Sequence, residues 1–316
     1  KKEANANQKI KVEDLRIRMG GKITIVLPTY NGEEHIRKSI DSILEQTYTN
    51  WELIVVNDCS TDGTAKIVEE YTLKDNRIRL VNNSTNQRLP RALNIGFEKA
   101  TGDYYTWTSD DNAYHKNALE IMIGELELHS DIDLVYSDFN RIDLENGEIL
   151  GVEEKKSPKE LCFVNTVGAC FLYRKKLAAK IGKYDPNFFL AEDYEYWIRA
   201  YLNGKLMHID KILYDYGMHG QSLTSTRQKD IGKATYDVKN KYFTDLLNKC
   251  ENQEEVNRFF DEMLRLLSDK KEMKKVRNQY YKIDNEYRKS DIKKRIVKIK
   301  NIIIWKAKRV FARNKR

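Results

Sequence analysis

Two adjacent acids, Asp110 and Asp111, directly follow an aromatic and β-branched run in the stretch "DYYTWTSDDNAY". Paired carboxylates at the end of a buried strand suit a hard divalent cation, which in turn binds a phosphate. The alternative is a capped turn, because Asp is a good N-cap and the following "AYHKNALEIMIGEL" has helical spacing. The predicted strands and helices around these acids distinguish a metal site from a helix cap.

Strand-like and helix-like segments alternate from about residue 22. The runs "KITIVLPTY", "WELIVVND", "RIRLVNN" and "DYYTWTS" predict strands, and the segments between them predict helices. In the first such segment, Ile36, Ile40 and Ile43 lie on one helical face. The β-α-β-α-β-α-β order predicts an α/β fold with a doubly wound, mostly parallel sheet, whose ligand site lies beyond the carboxyl ends of the strands.

The residues after these strands indicate the chemistry of that crevice. Asp58, Asp110 and Asp111 come at strand ends, and Arg88 and Arg91 follow the third strand. Neither GxGxxG nor GxxxxGK[ST] is present, which disfavours dinucleotide oxidoreduction and P-loop hydrolysis. Carboxylates and basic residues together suit a nucleoside diphosphate held through a cation.

Composition and charge limit the class of protein. The 316 residues, 41% of them hydrophobic, suffice for one large domain with an appendage or for two modest domains. No run reaches the roughly 18 apolar residues of a membrane span, and the four cysteines are scattered, so we expect a cytoplasmic protein with reduced thiols. The net charge of +8 is uneven: residues 288–316 carry +12, which leaves −4 for residues 1–287.

Three stretches, taken in order, resemble the successive motifs of family 2 glycosyltransferases of the GT-A fold. They are "VLPTYNGEEHIRKSIDSILEQTYTNWELIVVNDCSTDGT", "ATGDYYTWTSDDNAY" and "AEDYEYWIRA". The resemblance implies an inverting, metal-dependent transfer of a sugar from a nucleoside diphosphate donor. It also implies a GT-A-like domain at residues 22–227 with a Rossmann-like nucleotide-binding half, after a lead-in at 1–21. Helical spacing predicts a helical C-terminal region at 228–316.

The resemblance assigns roles at the donor side. Pro28, Tyr30 and Asp58 correspond to base-binding residues, since an ionised Asp accepts a hydrogen bond from uracil N3–H and Tyr supplies a stacking face. Asp110 corresponds to the acid near the ribose. Asp111 corresponds to the acid that binds the metal, either Mn²⁺ or Mg²⁺. Because Ser109 stands where the family has its first acid, the site has fewer charges and its choice between these metals stays open.

Further roles come from the same resemblance, each with a structural alternative. Asp193 corresponds to the general base for the acceptor hydroxyl, whereas acids in a first helical turn also simply complement the helix dipole. Adjacent helical residues point about 100° apart, so at most one of Glu192 and Asp193 faces the acceptor. His219 either approaches the metal or diphosphate or is structural. Arg88 either binds the donor phosphates or lies on the surface.

The sequence therefore predicts a glycosyltransferase that uses a UDP-sugar or dTDP-sugar and a hydroxyl acceptor, such as a bacterial surface glycan or a lipid-linked precursor. The alternative is a nucleotide-sugar-binding or regulatory module without catalysis. Residues 288–316 predict a basic amphipathic helix, which either packs on the protein or binds an anionic membrane surface at the inner face of the cell membrane. The acidic body disfavours nucleic acid as a partner. The sequence leaves open whether the chain forms a homo-oligomer.

Overall fold

The structure is a computed structural model that describes residues 20–220, 222–267, 269–283 and 285. The described chain forms two compact units, one up to Tyr242 and one from Phe243 onward. Most of the predicted lead-in and the whole basic tail at residues 288–316 lie outside the described residues. That residues 288–316 form a membrane-binding helix therefore stays a prediction.

The first half of the larger unit has the alternating order that the sequence predicts. Its elements are β1 (Ile23–Thr29), α1 (Ile36–Leu44), β2 (Trp51–Asn57), α2 (Thr64–Thr72), β3 (Ile78–Asn82), α3 (Leu89–Phe97) and β4 (Tyr104–Trp107). Strands β1 and β2 are buried along their whole length, which explains their unbroken apolar runs. The strands pair in parallel in the order β3-β2-β1-β4, so their carboxyl ends share one edge.

The second half adds antiparallel strands to the same sheet. Its elements are β5 (Ala113–Tyr114), α4 (Ala118–Leu128), β6 (Leu134–Asp143), β7 (Ile149–Glu153), β8 (Phe171–Arg174), α5 (Lys175–Ile181), α6 (Glu192–Asn203) and β9 (Leu206–Met218), with 3₁₀ turns at Pro158–Cys162 and Pro186–Phe188. The sheet order over the described residues is β3-β2-β1-β4-β8-β6-β9-β5, with β7 paired to β6. Strand β8 is antiparallel to β4 and β6, and β9 is parallel to β6. The confirmed α/β sheet is therefore parallel in its first half and mixed in its second.

The helix predicted behind the paired acids begins later than its spacing indicates. Strand β5 follows Asp111, and α4 begins only at Ala118, with Asn117 as an N-cap that makes no side-chain hydrogen bond. Asp110 and Asp111 therefore do not cap this helix, and the capped-turn alternative is wrong. Both acids lie in the turn between β4 and β5.

An aromatic cluster holds helix α6 against the sheet. The Trp197 ring lies 4.4 Å from the Phe171 ring of β8, between centroids. The ring of Tyr196 stacks on Tyr184 at 4.0 Å. Trp197, Phe171 and Tyr196 are almost completely buried. Such packing fixes the start of α6, where the sequence predicts the general base.

Helices make up the described C-terminal part, as the sequence predicts. Helices α7 (Leu223–Thr226) and α8 (Gln228–Lys241) belong to the larger unit, and the smaller unit contains α9 (Phe243–Leu247), α10 (Gln253–Arg265) and a helical run at 270–283. Helix α10 buries one apolar stripe, which consists of Val256, Phe259, Phe260 and Met263. The predicted domain boundary at residue 227 stays a prediction. Within the described part of the chain, no helix is both long and apolar enough to cross a membrane.

Candidate active site

The turn after β4 holds Asp110 against the end of β1. The Oγ1 of Thr29 donates a short hydrogen bond to Asp110 Oδ2. The loop after β1 passes so close that a Cβ at Gly32 would lie 2.2 Å from this same carboxylate oxygen. Burial and the neighbouring charge of Asp111 raise the pKa of Asp110 to about 6, against the lowering effect of the Thr29 bond. Asp110 is thus fixed by β1 and by a loop that requires glycine.

Asp111 and His219 meet beside it. His219 Nε2 lies 3.3 Å from Asp111 Oδ2, while Asp111 Oδ1 is buried and has no hydrogen-bond partner. Burial raises the pKa of Asp111, and the nearby His219 opposes this effect. The His35 ring lies 5.4 Å from that of His219. A buried carboxylate oxygen left unpaired costs about 1–3 kcal/mol, so this oxygen calls for a partner from outside the protein.

A divalent cation fits this pair of side chains if the donor supplies the other ligands. Across the residues that the structure describes, no group of three or more His, Cys, Asp or Glu side chains converges to hold a metal. Cations such as Mg²⁺ are commonly held by one or two carboxylates together with substrate phosphates and water. Asp111 and His219 provide one carboxylate and one imidazole. The site therefore suits a cation that binds together with a diphosphate.

The end of β9 sets the position of the Asp111 turn. The buried Asn112 accepts a hydrogen bond from the Gly217 backbone N–H through its Oδ1, at 2.8 Å. A Cβ at Gly217 would lie 2.2 Å from the carbonyl oxygen of Asp111. Only glycine permits this approach, and His219 follows two residues later. The neighbouring strands β5 and β9 thus bring together two residues separated by more than 100 positions.

Asp58 organises the loop that leads into α3. Its buried carboxylate accepts hydrogen bonds from Asn83 Nδ2 at 2.7 Å, from the Gln87 backbone N–H at 2.8 Å and from the Arg88 backbone N–H at 2.9 Å. Arg88 has a φ of +65° and places its guanidinium carbon 5.3 Å from the centroid of the Phe189 ring. A cavity of about 260 Å³ is lined by Gln87, Arg88, Arg91 and Phe189, among others. The base-binding role of Asp58 and the phosphate-binding role of Arg88 stay predictions.

Pro28 and Tyr30 occupy contrasting positions at the end of β1. Pro28 lies within the buried strand, paired with Val56 of β2, whereas Tyr30 is 52% exposed. The loop that carries Tyr30 is bonded to the loop after β2, because Asn31 Oδ1 accepts the Thr61 N–H at 2.8 Å. The Tyr30 ring thus remains accessible on a loop that is itself held in place.

Asp193 and Glu192 differ in surroundings at the start of α6. Asp193 is partly exposed, and its carboxylate accepts hydrogen bonds from Asn165 Nδ2 at 2.7 Å and from the Tyr194 N–H at 2.6 Å. Glu192 is buried and accepts the Leu190 N–H at 2.7 Å. Burial and the adjacent charge of Asp193 raise the pKa of Glu192 to about 8, and burial also raises the pKa of Asp193. Of the two, Asp193 is the more exposed, and its role as general base stays a prediction.

The third acid of this helix, Glu195, has a structural role. It is fully buried and accepts hydrogen bonds from Arg199 at both carboxylate oxygens. It also accepts hydrogen bonds from Lys241 and Tyr242, at 3.0 and 2.6 Å. Glu195 therefore connects the start of α6 to the end of α8.

Tyr216 of β9 is half-buried, and its hydroxyl lies 3.1 Å from Thr224 Oγ1. Burial raises the pKa of its hydroxyl, and the negative charges of Asp111 and Asp193 add to this effect.

Asn165 and Lys155 are not among the site residues that the sequence predicts. Asn165 Nδ2 donates to Asp193 Oδ2, and Lys155, whose side chain is 7% exposed, places its Nζ 4.5 Å from the centroid of the Phe139 ring. Burial lowers the pKa of Lys155, and the charges of Glu153, Asp138 and Asp193 oppose that effect. Asn165 and Lys155 lie in a region without periodic signal.

The sequence and the fold both match known proteins. The profile of the family described as Glycosyl transferase family 2 matches residues 24–182. The chain is 40% identical over 117 residues to "Putative glycosyltransferase EpsE" of Bacillus subtilis, a match that covers 37% of this chain and 42% of EpsE. This alignment thus spans less than half the length of that relative.

Two solved structures share the fold. S. aureus TarS 1-349 in complex with UDP superposes with a TM-score of 0.56 at 20% identity, covering 85% of this chain and 92% of that one. Mannosyltransferase PcManGT from Pyrobaculum calidifontis, in complex with GDP-Man and Mn²⁺, gives a TM-score of 0.56 at 15% identity over 82% of this chain and 73% of that one. The GT-A fold expected from the sequence is confirmed. With its profile match over half of the chain, the protein belongs to glycosyl transferase family 2.

Proposed function

We propose that the protein transfers a sugar, with inversion, from a UDP-sugar to an acceptor hydroxyl and requires a divalent cation. The observation that carries this proposal is the unpartnered buried Oδ1 of Asp111 beside His219, at the carboxyl edge of the sheet. Inversion needs a single displacement: the acceptor oxygen attacks the anomeric carbon, its proton passes to a base, and UDP departs. The site contains a candidate residue for each of these needs.

The donor would be bound by residues of the parallel half of the sheet. Tyr30 offers an exposed ring for stacking on the base, and Asp58 is the candidate acceptor for N3–H. Uracil and thymine both carry this N3–H, so a dTDP-sugar is the nearest alternative donor. The structure of TarS with UDP supports a uridine donor, since TarS has the same fold.

The diphosphate would lie between acidic and basic side chains. When bound, Mn²⁺ or Mg²⁺ supplies positive charge that stabilises the departing diphosphate. Asp111 and His219 would hold this cation, and Asp110 would contact the ribose. Arg88 would contribute a charge near the phosphates from the Asp58-bound loop. The structure of PcManGT with GDP-Man and Mn²⁺ supports a metal in this fold.

The acceptor would be activated by Asp193. Asn165 and the Tyr194 N–H hold its carboxylate, and a carboxylate has further lone pairs with which to accept the hydroxyl proton. Its raised pKa makes it a stronger base than an ordinary Asp. Glu192, buried and with a pKa raised to about 8, would remain protonated at neutral pH and would not compete. The acceptor itself would be a glycan or a lipid-linked precursor at the membrane surface.

The experiment is release of UDP from a panel of UDP-sugars, measured with Mn²⁺, with Mg²⁺ and with a chelator. We expect UDP release from at least one donor, faster with a mixed-glycan acceptor panel, and loss of release on chelation. Asp193→Asn serves as the matched inactive control. Binding of UDP without release from any donor over a broad acceptor panel would instead indicate a binding or regulatory module.

A further inference from the structure

A buried lysine on helix α8 contacts the segment whose Asn165 donates a hydrogen bond to Asp193. Lys239 is 1% exposed, and its Nζ donates a hydrogen bond to the carbonyl oxygen of Phe163. Helix α8 lies beyond the residues 24–182 that match the family profile. Lysines are rarely buried so completely, so a bond that reaches 76 positions back along the chain calls for an explanation.

The carbonyl that Lys239 holds lies two residues before the partner of the candidate base. Asn165 Nδ2 donates to Asp193 Oδ2 at 2.7 Å. The same segment is fixed from the other side, because the Tyr194 hydroxyl donates to the Leu161 carbonyl oxygen at 2.8 Å. Residues 161–165 are therefore bound by α6 on one side and by α8 on the other.

Helix α8 and the residue that ends it also bind α6 directly. Lys241 Nζ and the Tyr242 hydroxyl donate to Glu195 Oε1 at 3.0 and 2.6 Å. Glu195 lies two residues after Asp193, and its other oxygen binds Arg199. The α8 region thus contacts both the helix that carries Asp193 and the loop that donates to the Asp193 carboxylate.

We propose that Lys239 is a positioning residue for Asp193: it holds the Phe163 carbonyl so that Asn165 keeps its hydrogen bond to Oδ2. This inference rests on the proposed function, in which Asp193 accepts the proton of the acceptor. The Asn165 bond fixes the rotation of the carboxylate and leaves lone pairs directed at the acceptor. Without Lys239 the loop would lose its hydrogen bond to α8, and the base would sample unproductive orientations.

The variant Lys239→Met removes the ammonium and keeps an apolar side chain of similar length. We expect kcat for UDP release to fall about tenfold or more, while the affinity for UDP measured by calorimetry stays within about twofold of the unaltered protein. Lys229→Met, an exposed position on the same helix, is the matched control and should change neither quantity. Lys239→Arg, which can still donate to the carbonyl, should restore much of kcat. A purely structural role would lower UDP affinity and kcat together, which would contradict the proposal.

A double-mutant cycle with Asn165→Ala tests whether Lys239 acts on Asp193 through Asn165. If Lys239 acts through Asn165, adding Lys239→Met to Asn165→Ala should cost little further kcat. If the fold decrease in kcat of the double variant equals the product of the two single decreases, Lys239 acts independently of Asn165, and the proposal is overturned. If Lys239→Met fails to fold, the kcat of Asn165→Ala is the deciding measurement. A kcat equal to that of the unaltered protein would show that Asn165 does not position Asp193, and would overturn the proposal.

Amide hydrogen exchange separates this inference from the proposed function. Residues 161–168 should exchange faster in Lys239→Met than in Lys229→Met, whether or not the protein releases UDP. Equal exchange rates in the two variants would overturn the positioning role. If the unaltered protein releases no UDP from any donor, the proposed function fails, and the exchange rates still decide whether Lys239 anchors the loop.

Discussion

Replacement of Asp193 by Asn tests the assignment of the general base. The change removes the negative charge but keeps an oxygen that can still accept from Asn165, so the fold and UDP binding should be retained. Loss of a general base typically lowers turnover ~10²–10⁴-fold, which corresponds to about 3–5 kcal/mol of transition-state stabilisation. We expect kcat to fall by this amount with UDP affinity unchanged.

Glu192→Gln is the matched control on the same helix. Burial and the charge of Asp193 keep Glu192 protonated at neutral pH, so Gln replaces a neutral acid of the same shape. We expect a change of less than about 1 kcal/mol in both stability and activation free energy. The pH profile gives a second check: because the pKa of Asp193 is raised, kcat should fall as pH decreases through a value above that of an ordinary Asp.

The assay is coupled detection of released UDP at saturating donor, together with calorimetric titration of UDP. An inactive Glu192→Gln with an active Asp193→Asn would reverse the assignment within the pair. Full activity in both variants would refute the argument that this helix supplies the base. A fall in UDP affinity that matches the fall in kcat would place Asp193 in donor binding instead.

Three further predictions concern the site, the stability and the tail. Gly217→Ala would place a Cβ 2.2 Å from the Asp111 carbonyl oxygen, so it should lower the metal-dependent affinity for UDP. Gly220→Ala is the control, because a Cβ there has open space, and it should leave this affinity unchanged. Equal UDP affinities of the two variants in calorimetry would contradict the prediction. Burial acts to raise the pKa of Glu52, but hydrogen bonds from Thr24, Thr101 and Lys22 outweigh it and lower this pKa from 4.5 to about 2. The ionised Glu52 should therefore add roughly 3 kcal/mol to the free energy of unfolding above pH 4.5. That contribution should disappear as pH falls toward 2, and urea unfolding of Glu52→Gln that shows the same deficit at pH 3 and pH 7 would refute it. Deletion of residues 288–316 should abolish salt-sensitive sedimentation with anionic vesicles and spare UDP binding; equal sedimentation of both forms would favour packing of the tail on the protein.

The first half of the fold could be predicted because its signals are local. Side-chain periodicity within a few residues is enough to identify β1 and α1, and the rule for parallel sheets then places Asp58 and Asp111 at one edge. Helix geometry also limits the acid that faces the acceptor to at most one of Glu192 and Asp193, and the family resemblance then selects Asp193. These features needed no knowledge of long-range contacts.

The rest depends on contacts between residues far apart in sequence. The two-residue strand β5 is too short to give a periodic pattern, so the helix behind Asp111 was predicted to begin too early. The mixed half of the sheet is fixed by pairings such as β8 with β4, which local sequence does not encode. Asn165 and Lys239 are single polar residues whose partners emerge only when α6 and α8 pack together.

The central claim is that Asp111 binds the cation that holds the donor diphosphate. Calorimetric titration of UDP into the unaltered protein and into Asp111→Asn, each with and without Mn²⁺, tests it most directly, with the surface variant Asp131→Asn as control. We predict that Mn²⁺ increases the UDP affinity of the unaltered protein and of Asp131→Asn, and that Asp111→Asn loses this increase while keeping its metal-free affinity. An equal increase with Mn²⁺ in Asp111→Asn would contradict the account.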